Sequence, residues 1–155
     1  APFSQRLVTI GGAGQQVRDQ VNFAGYDIVE SLHFTAGCSS SIVSALDMIH
    51  EDAAGFVLLL GDQPGVDPAV IERLISEGND KPLAVCSYSD GIGHPFWFGR
   101  EVFGDLADLH GDKAVWKLIE SGRYPVHEIT VDSAVPLDVD TWDDYERLLA
   151  QAGAT

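Results

Sequence analysis

Phe56-Val-Leu-Leu-Leu-Gly-Asp-Gln-Pro-Gly65 is the stretch whose reading decides the fold. Its apolar run lies between Gly55 and a Gly-Asp-Gln-Pro-Gly turn, the pattern of a short strand buried on both faces. A run this short fits a parallel sheet under helices better than it fits a helix. Just past the strand's C-terminal end stands a carboxylate, Asp62, and in open α/β sheets that end receives ligands. Pro64 and Gly65 then turn the backbone away. Asp67-Pro68 reads as an N-cap and first helical residue, with Val70, Ile71, Leu74 and Ile75 as an apolar stripe. Asp62 itself has two readings, a ligand-facing carboxylate or a turn residue bonding its own backbone.

Outward from this centre the same alternation recurs. Leu7–Ile10 reads as a strand followed by Gly11-Gly-Ala-Gly14, a glycine turn without the spacing of a dinucleotide fingerprint or the lysine of a P-loop. Tyr26–Glu30 is the next strand. Ala36-Gly37-Cys38-Ser39-Ser40-Ser41 leads into Ile42, Val43, Ala45, Leu46 and Ile49 at helical spacing. Ser39 or Ser40 could cap that helix, and its N-terminus could equally receive a phosphate or ribose. Leu83–Tyr88 and the stretch His94-Pro-Phe-Trp-Phe-Gly99 are strands, with Phe96 and Phe98 on one face and Trp97 on the other. His94 reads either as a ligand contact or as a residue that Pro95 holds extended. Val102, Phe103, Leu106 and Leu109 mark a helix. His110-Gly-Asp-Lys113 breaks it, with Asp112 as candidate cap of the next helix and Lys113 free to meet an anion. Val126–Val131 is a strand. In Pro136-Leu-Asp-Val-Asp140 the alternation points Asp138 and Asp140 the same way. Thr141-Trp-Asp-Asp144 is a capping box opening a last helix that buries Tyr145, Leu148 and Leu149.

The bulk properties narrow the function classes. A chain of 155 residues, 45% hydrophobic and 21% charged, fits one globular domain with a real core. Nine Lys and Arg against 24 Asp and Glu give a net charge of −15, which repels nucleic acid and anionic membranes. No apolar run approaches the roughly 20 residues of a membrane span. Cys38 and Cys86 lack any paired spacing and suit a reducing, cytoplasmic setting.

Taken together, Gly37-Cys-Ser-Ser-Ser41, Leu60-Gly-Asp-Gln-Pro64, Gly93-His-Pro95, Leu109-His-Gly-Asp112 and Leu137-Asp-Val-Asp-Thr141 with Asp144 carry a resemblance. In order and spacing, over nearly the whole chain, the sequence resembles the MobA/MocA-like nucleotidyltransferases, closest to the molybdenum cofactor cytidylyltransferase branch. The resemblance implies a single domain over residues 1–155 with a Rossmann-like, three-layer nucleotide-diphospho-sugar transferase fold and a mostly parallel sheet. It implies a Mg²⁺ ion held by Asp62 and by Asp138 or Asp140, the catalytic carboxylates. Gly11, Gly12, Gly37, Ser40 and Ser41 would line the nucleotide site, and His94, Pro95 and Lys113 the acceptor site.

The sequence departs from the family in three places. The family's opening strand and Leu-x-Ala-Gly-x-Ser-x-Arg-Met-Gly loop, which grip the triphosphate, have no counterpart here. The expectation is a domain without its first strand, inactive as it stands. Ser39 stands where the family favours glycine, and Lys113-Ala-Val-Trp116 replaces a stretch that usually ends in arginine.

The implied reaction moves a nucleoside monophosphate from CTP or GTP, CTP favoured, to a phosphorylated pterin-type acceptor such as molybdopterin, releasing pyrophosphate. Two alternatives remain: a transferase acting on another small phosphate acceptor, and a nucleotide-binding accessory protein that hands cofactor to a molybdoenzyme. CTP binding without pyrophosphate release would mark the second.

Overall fold

The computed structural model describes residues 3–12, 14–31, 38–108, 110–111 and 113–153. They form an α/β fold divided into two compact units, Gly55–Gly99 with Pro125–Thr155, and Pro2–Ala54 with Arg100–Tyr124. Among the described residues no helix is long and apolar enough to cross a membrane.

The second-named unit pairs β1 (Leu7–Ile10) in parallel with β2 (Asp27–Glu30), linked through α1 (Gly14–Gln20). Helix α2 (Cys38–Leu46) packs on both strands and on α4 (Phe103–Ala107), which follows a 3-10 turn at Arg100–Val102. Helix α5 (Ala114–Glu120) completes the unit, and Ile10, Val29, Ile42, Val102, Leu106 and Leu118 are among its buried side chains. Arg100 ties the segment down. Its Nε donates to the Ala53 carbonyl at 2.7 Å, a terminal nitrogen donates to the His50 carbonyl, and its guanidinium lies 5.0 Å from the Phe103 ring. Because α2 already starts at Cys38, Ser39 and Ser40 sit inside the first turn rather than at the cap.

The other unit contains β3 (Gly55–Leu58), α3 (Pro68–Gly78), β4 (Leu83–Tyr88), β5 (Gly91–Gly99), β6 (Val126–Thr130) and α6 (Trp142–Gly153). Its sheet runs β3-β5-β4-β6, with β4 parallel to β6 and β5 antiparallel to both of its neighbours. Asp67 caps α3 as the sequence predicts, accepting from the Ala69 N–H at 2.8 Å, with Pro68 in the first turn. Val70 and Leu74 of α3 meet Ala84, Cys86, Tyr88, Trp97, Ile129 and Val131 in the core. Cys86 is a buried free thiol, and burial pushes its pKa up to about 11, so it is chemically inert here.

Three sequence expectations change. Strand β3, expected in a parallel sheet, pairs among the described residues with β5 alone, and antiparallel. Strand β3 is shorter than its apolar run and only half-buried, and Leu59 beyond it is 43% exposed. The reason is position: β3 is an edge of the described sheet, with a neighbour on one side only. Helix α6 begins at the predicted place, where the Thr141 hydroxyl and N–H both donate to the Asp144 carboxylate, at 2.6 and 3.0 Å, and the Asp144 N–H returns a bond to Thr141. Its apolar stripe is not buried, however. Trp142, Tyr145 and Leu149 are exposed and only Leu148 is half-buried. Local capping chemistry fixes where a helix starts, whereas burial needs a partner surface.

Both faces of β5 are buried, Phe96 and Phe98 on one and Trp97 on the other, and this constrains β3 opposite. The Trp97 indole donates to the Lys81 carbonyl at 3.0 Å, which fixes the ring's position. A Cβ at Gly55 would lie 2.6 Å from that ring and against the Phe98 carbonyl, so only glycine permits the β3–β5 approach. Gly55→Ala should therefore destabilise this unit by about 1–3 kcal/mol, read as a lowered midpoint in urea unfolding followed by Trp fluorescence.

Candidate functional site

Two segments far apart in sequence meet at the ends of the strands of one unit. The first is the turn after β3, Leu60-Gly-Asp-Gln-Pro64. The second is the irregular segment between β6 and α6 that carries Asp138 and Asp140. The Val139 N–H donates to the Asp62 carbonyl at 2.8 Å. The Gln63 side-chain amide donates to one oxygen of Asp138 at 2.7 Å, across 75 positions of sequence. Gln63 is only 7% exposed, whereas the Asp62 and Asp138 residues it lies among are exposed. A neutral amide thus holds the Asp138 carboxylate, and both acids are exposed to solvent.

His94 stands on β5 in the same neighbourhood. Its ring lies on Phe96, centroids 4.1 Å apart, and its carbonyl accepts from the Tyr88 hydroxyl at 2.7 Å. The peptide bond to Pro95, itself buried, is cis. Burial holds the His94 pKa down to about 4, outweighing the opposing pull of the Asp138 and Asp62 charges. At neutral pH the imidazole is uncharged. It can offer a stacking face or a hydrogen bond to a ligand, but not a positive charge to a phosphate.

Asp140 enters none of these contacts. Residues 136–140 are not a strand, and Asp138 and Asp140 are exposed on either side of half-buried Val139. The Asp140 backbone instead lies by the Asp144 carboxylate, at the α6 cap. The remaining sequence candidates belong to the other unit. Gly11 and Gly12 form the exposed turn after β1, and Lys113 is exposed just ahead of α5. Ser40 shares a hydroxyl contact of 3.2 Å with Ser31, and the Ser41 carbonyl lies 3.5 Å from the Thr9 hydroxyl. Gly37 and Asp112 lie outside the described residues.

Beside the Asp62 and Asp138 segments opens a cleft of about 410 Å³, lined in part by Gly65, Val70, Tyr88, Val135 and Leu137. Gly93 borders this region tightly, since a Cβ there would lie 2.9 Å from Val135.

Among the described residues no group of three His, Cys, Asp or Glu is placed to hold a metal ion. The donor set that is present still has a definite character. It comprises the two exposed carboxylates of Asp62 and Asp138, the second held by the buried Gln63 amide. Hard oxygen donors in this number suit a small divalent cation that keeps waters and takes phosphate oxygens from its substrate, as Mg²⁺ does. The set fits such an ion. Gln63 is the site residue that sequence reasoning missed: it stands inside the quoted motif, but nothing in a sequence announces that its amide reaches Asp138.

Comparison with known proteins identifies the family and the fold. A family profile described as "MobA-like NTP transferase domain" matches residues 1–128, stopping short of Asp138. The crystal structure of an Rv0371c homologue from Mycobacterium sp. strain JC1 is 55% identical, with a TM-score of 0.88 over 99% of this chain and 77% of that one. That of Rv0371C from Mycobacterium tuberculosis in complex with manganese is 53% identical, with a TM-score of 0.85 over 96% of this chain and 79% of that one. At 16% identity, the molybdopterin-guanine dinucleotide biosynthesis protein A of Archaeoglobus fulgidus superposes with a TM-score of 0.65 over 96% of this chain and 79% of that one, a likeness of fold. No curated protein matches.

The depressed His94 pKa has a consequence for stability. Between its ordinary value of 6.5 and about 4, the unfolded chain takes up a proton that the folded chain refuses. Stability should therefore fall as pH drops from 7 towards 4, by up to about 3 kcal/mol from this residue. His94→Gln should flatten that part of the acid limb, measured by urea unfolding at pH 7 and pH 4.5.

Proposed function

Since the chain belongs to the MobA-like NTP transferase family and is a nucleotidyltransferase by that membership, we propose that it transfers a nucleoside monophosphate, CMP favoured, to a phosphorylated pterin-type acceptor. The observation that supports this reading is the pair of hydrogen bonds joining the Asp62 and Asp138 segments. In the reaction an acceptor phosphate oxygen forms a bond to the α-phosphorus of the triphosphate. The α–β bridging bond breaks, and pyrophosphate departs with its electron pair. The attacking oxygen is already anionic at neutral pH, so no strong general base is needed. What must be overcome is repulsion between two anions, together with their alignment.

Asp62 and Asp138 are the residues that would hold Mg²⁺; when bound, the ion neutralises phosphate charge and orients the reacting groups. The manganese complex of the Rv0371C protein is in keeping with a divalent cation in a relative. Asp138 is favoured over Asp140 because Gln63 fixes it beside the Asp62 turn, whereas Asp140 adjoins the α6 cap. Gln63 orients Asp138 by binding one of its oxygens. Neutral His94, with Pro95 beside it, presents a flat, uncharged surface to the acceptor's organic body, and the neighbouring cleft is apolar enough to seat it. Gly11, Gly12, Gly37, Ser40 and Ser41 would line the nucleotide site, with Lys113 free for an acceptor phosphate. We place the activity in the cytoplasm, where reduced thiols such as Cys86 persist.

Pyrophosphate release with CTP and with GTP, against molybdopterin, sugar phosphates and phosphoenolpyruvate, tests the reaction and ranks the acceptors. In a chain that carries the family's opening strand and loop, Asp62→Asn and Asp138→Asn should each lower turnover by more than roughly 100-fold with an unchanged melting temperature. Near-normal turnover in either variant would overturn the cation assignment. CTP binding without pyrophosphate release from any acceptor would instead favour the accessory-protein reading.

A further inference from the structure

Gln63 is the most deeply buried polar side chain of the site, and half of its hydrogen-bonding capacity is unused. Which end of the amide faces Asp138 follows from chemistry. A carboxylate only accepts, so the NH₂ group must point to it, and the 2.7 Å contact is a donation from Nε2. That orientation fixes the other end as well. The amide oxygen is then buried with no donor among the described residues. Leaving such an acceptor unsatisfied costs on the order of 1–3 kcal/mol. A core position under a turn could be filled by a nonpolar side chain at no such cost. The polar choice therefore reads as a device of the site rather than of the fold.

We infer that Gln63 is a positioning residue of the cation site, its buried amide nitrogen clamping one oxygen of Asp138 so that the other faces the ion. The inference rests on the cation reading given above and deepens it. An amide in this role suits the local charge. Asp62 and Asp138 already crowd two negative charges, and a third carboxylate would repel both. A lysine would neutralise them and compete with the ion. A neutral amide holds the Asp138 anion without cancelling its charge.

The test is Mn²⁺ binding, followed by the loss of the free-ion electron paramagnetic resonance signal, in wild-type protein, Gln63→Met and Asp62→Asn. Methionine keeps the length and approximate volume of the side chain and removes both polar ends. Gln63→Met should bind Mn²⁺ roughly 10–100-fold more weakly, the range found when groups that orient metal ligands are removed. Its melting temperature should be equal to or above the wild-type value, because an unsatisfied buried acceptor is gone. A Gln63 that serves only the fold would give the reverse, a lowered melting temperature with unchanged Mn²⁺ affinity, and that result overturns the inference. Wild-type protein that binds no Mn²⁺ would sink the cation reading and this inference with it. Wild-type binding that Asp62→Asn abolishes and Gln63→Met leaves intact would sink the inference alone. A measurement on the unmutated protein removes any dependence on the variant's folding. On titration with Mg²⁺, the side-chain amide resonances of Gln63 should shift with the same midpoint as the neighbouring backbone signals. Resonances that stay fixed at saturating Mg²⁺ count against it.

Discussion

The amide clasp between Gln63 and Asp138, with the backbone bond from Val139 to Asp62, is the constraint on which the site depends. Bringing two carboxylates to one rim of a chain with a net charge of −15 is electrostatically unfavourable. The protein does it with neutral donors, which satisfy lone pairs without cancelling charge. The negative potential is thereby preserved, and it is preserved where a divalent ion and phosphates would use it. A salt bridge would have aligned the same acids and removed the reason for aligning them.

Beneath the clasp, the sheet supplies rigidity. Strand β5 is buried on both faces and holds β3 through an approach that only Gly55 allows. The turn bearing Asp62 leaves β3, and His94 sits on β5 itself, so both belong to one packed frame. Trp97 links that frame to the end of α3 through Gly78 and the Lys81 carbonyl. His94 shows what the frame does to chemistry. Burial against Phe96 keeps its imidazole neutral although two acids lie near enough to pull the other way. Desolvation of the ring outweighs the pull of the two carboxylates.

Much of this was legible in the residues. The Asp67-Pro68 start of α3, the Thr141–Asp144 capping box and the strand at Leu83–Tyr88 are local patterns, and local chemistry enforces them. The resemblance to the MobA/MocA-like family, drawn from motif order, agrees with the family profile over residues 1–128. What could not be read was anything depending on a partner surface. The exposure of Tyr145 and Leu149 on α6 is one case, and the half-burial of β3 at a sheet edge is another. An apolar stripe predicts that a face can be buried, but not what is there to bury it.

By itself, then, the sequence determined the alternation of strands and helices, the helix starts, the positions of the acids and the family, because each follows from short-range chemistry or from motif order. Only the tertiary structure decided that the Gln63 amide reaches Asp138, that the Val139 N–H reaches the Asp62 carbonyl, and that burial keeps His94 uncharged. These depend on which atoms come within 3 Å across 75 positions of chain, and on how far each is removed from water. Both are properties of packing, which no short stretch of residues contains.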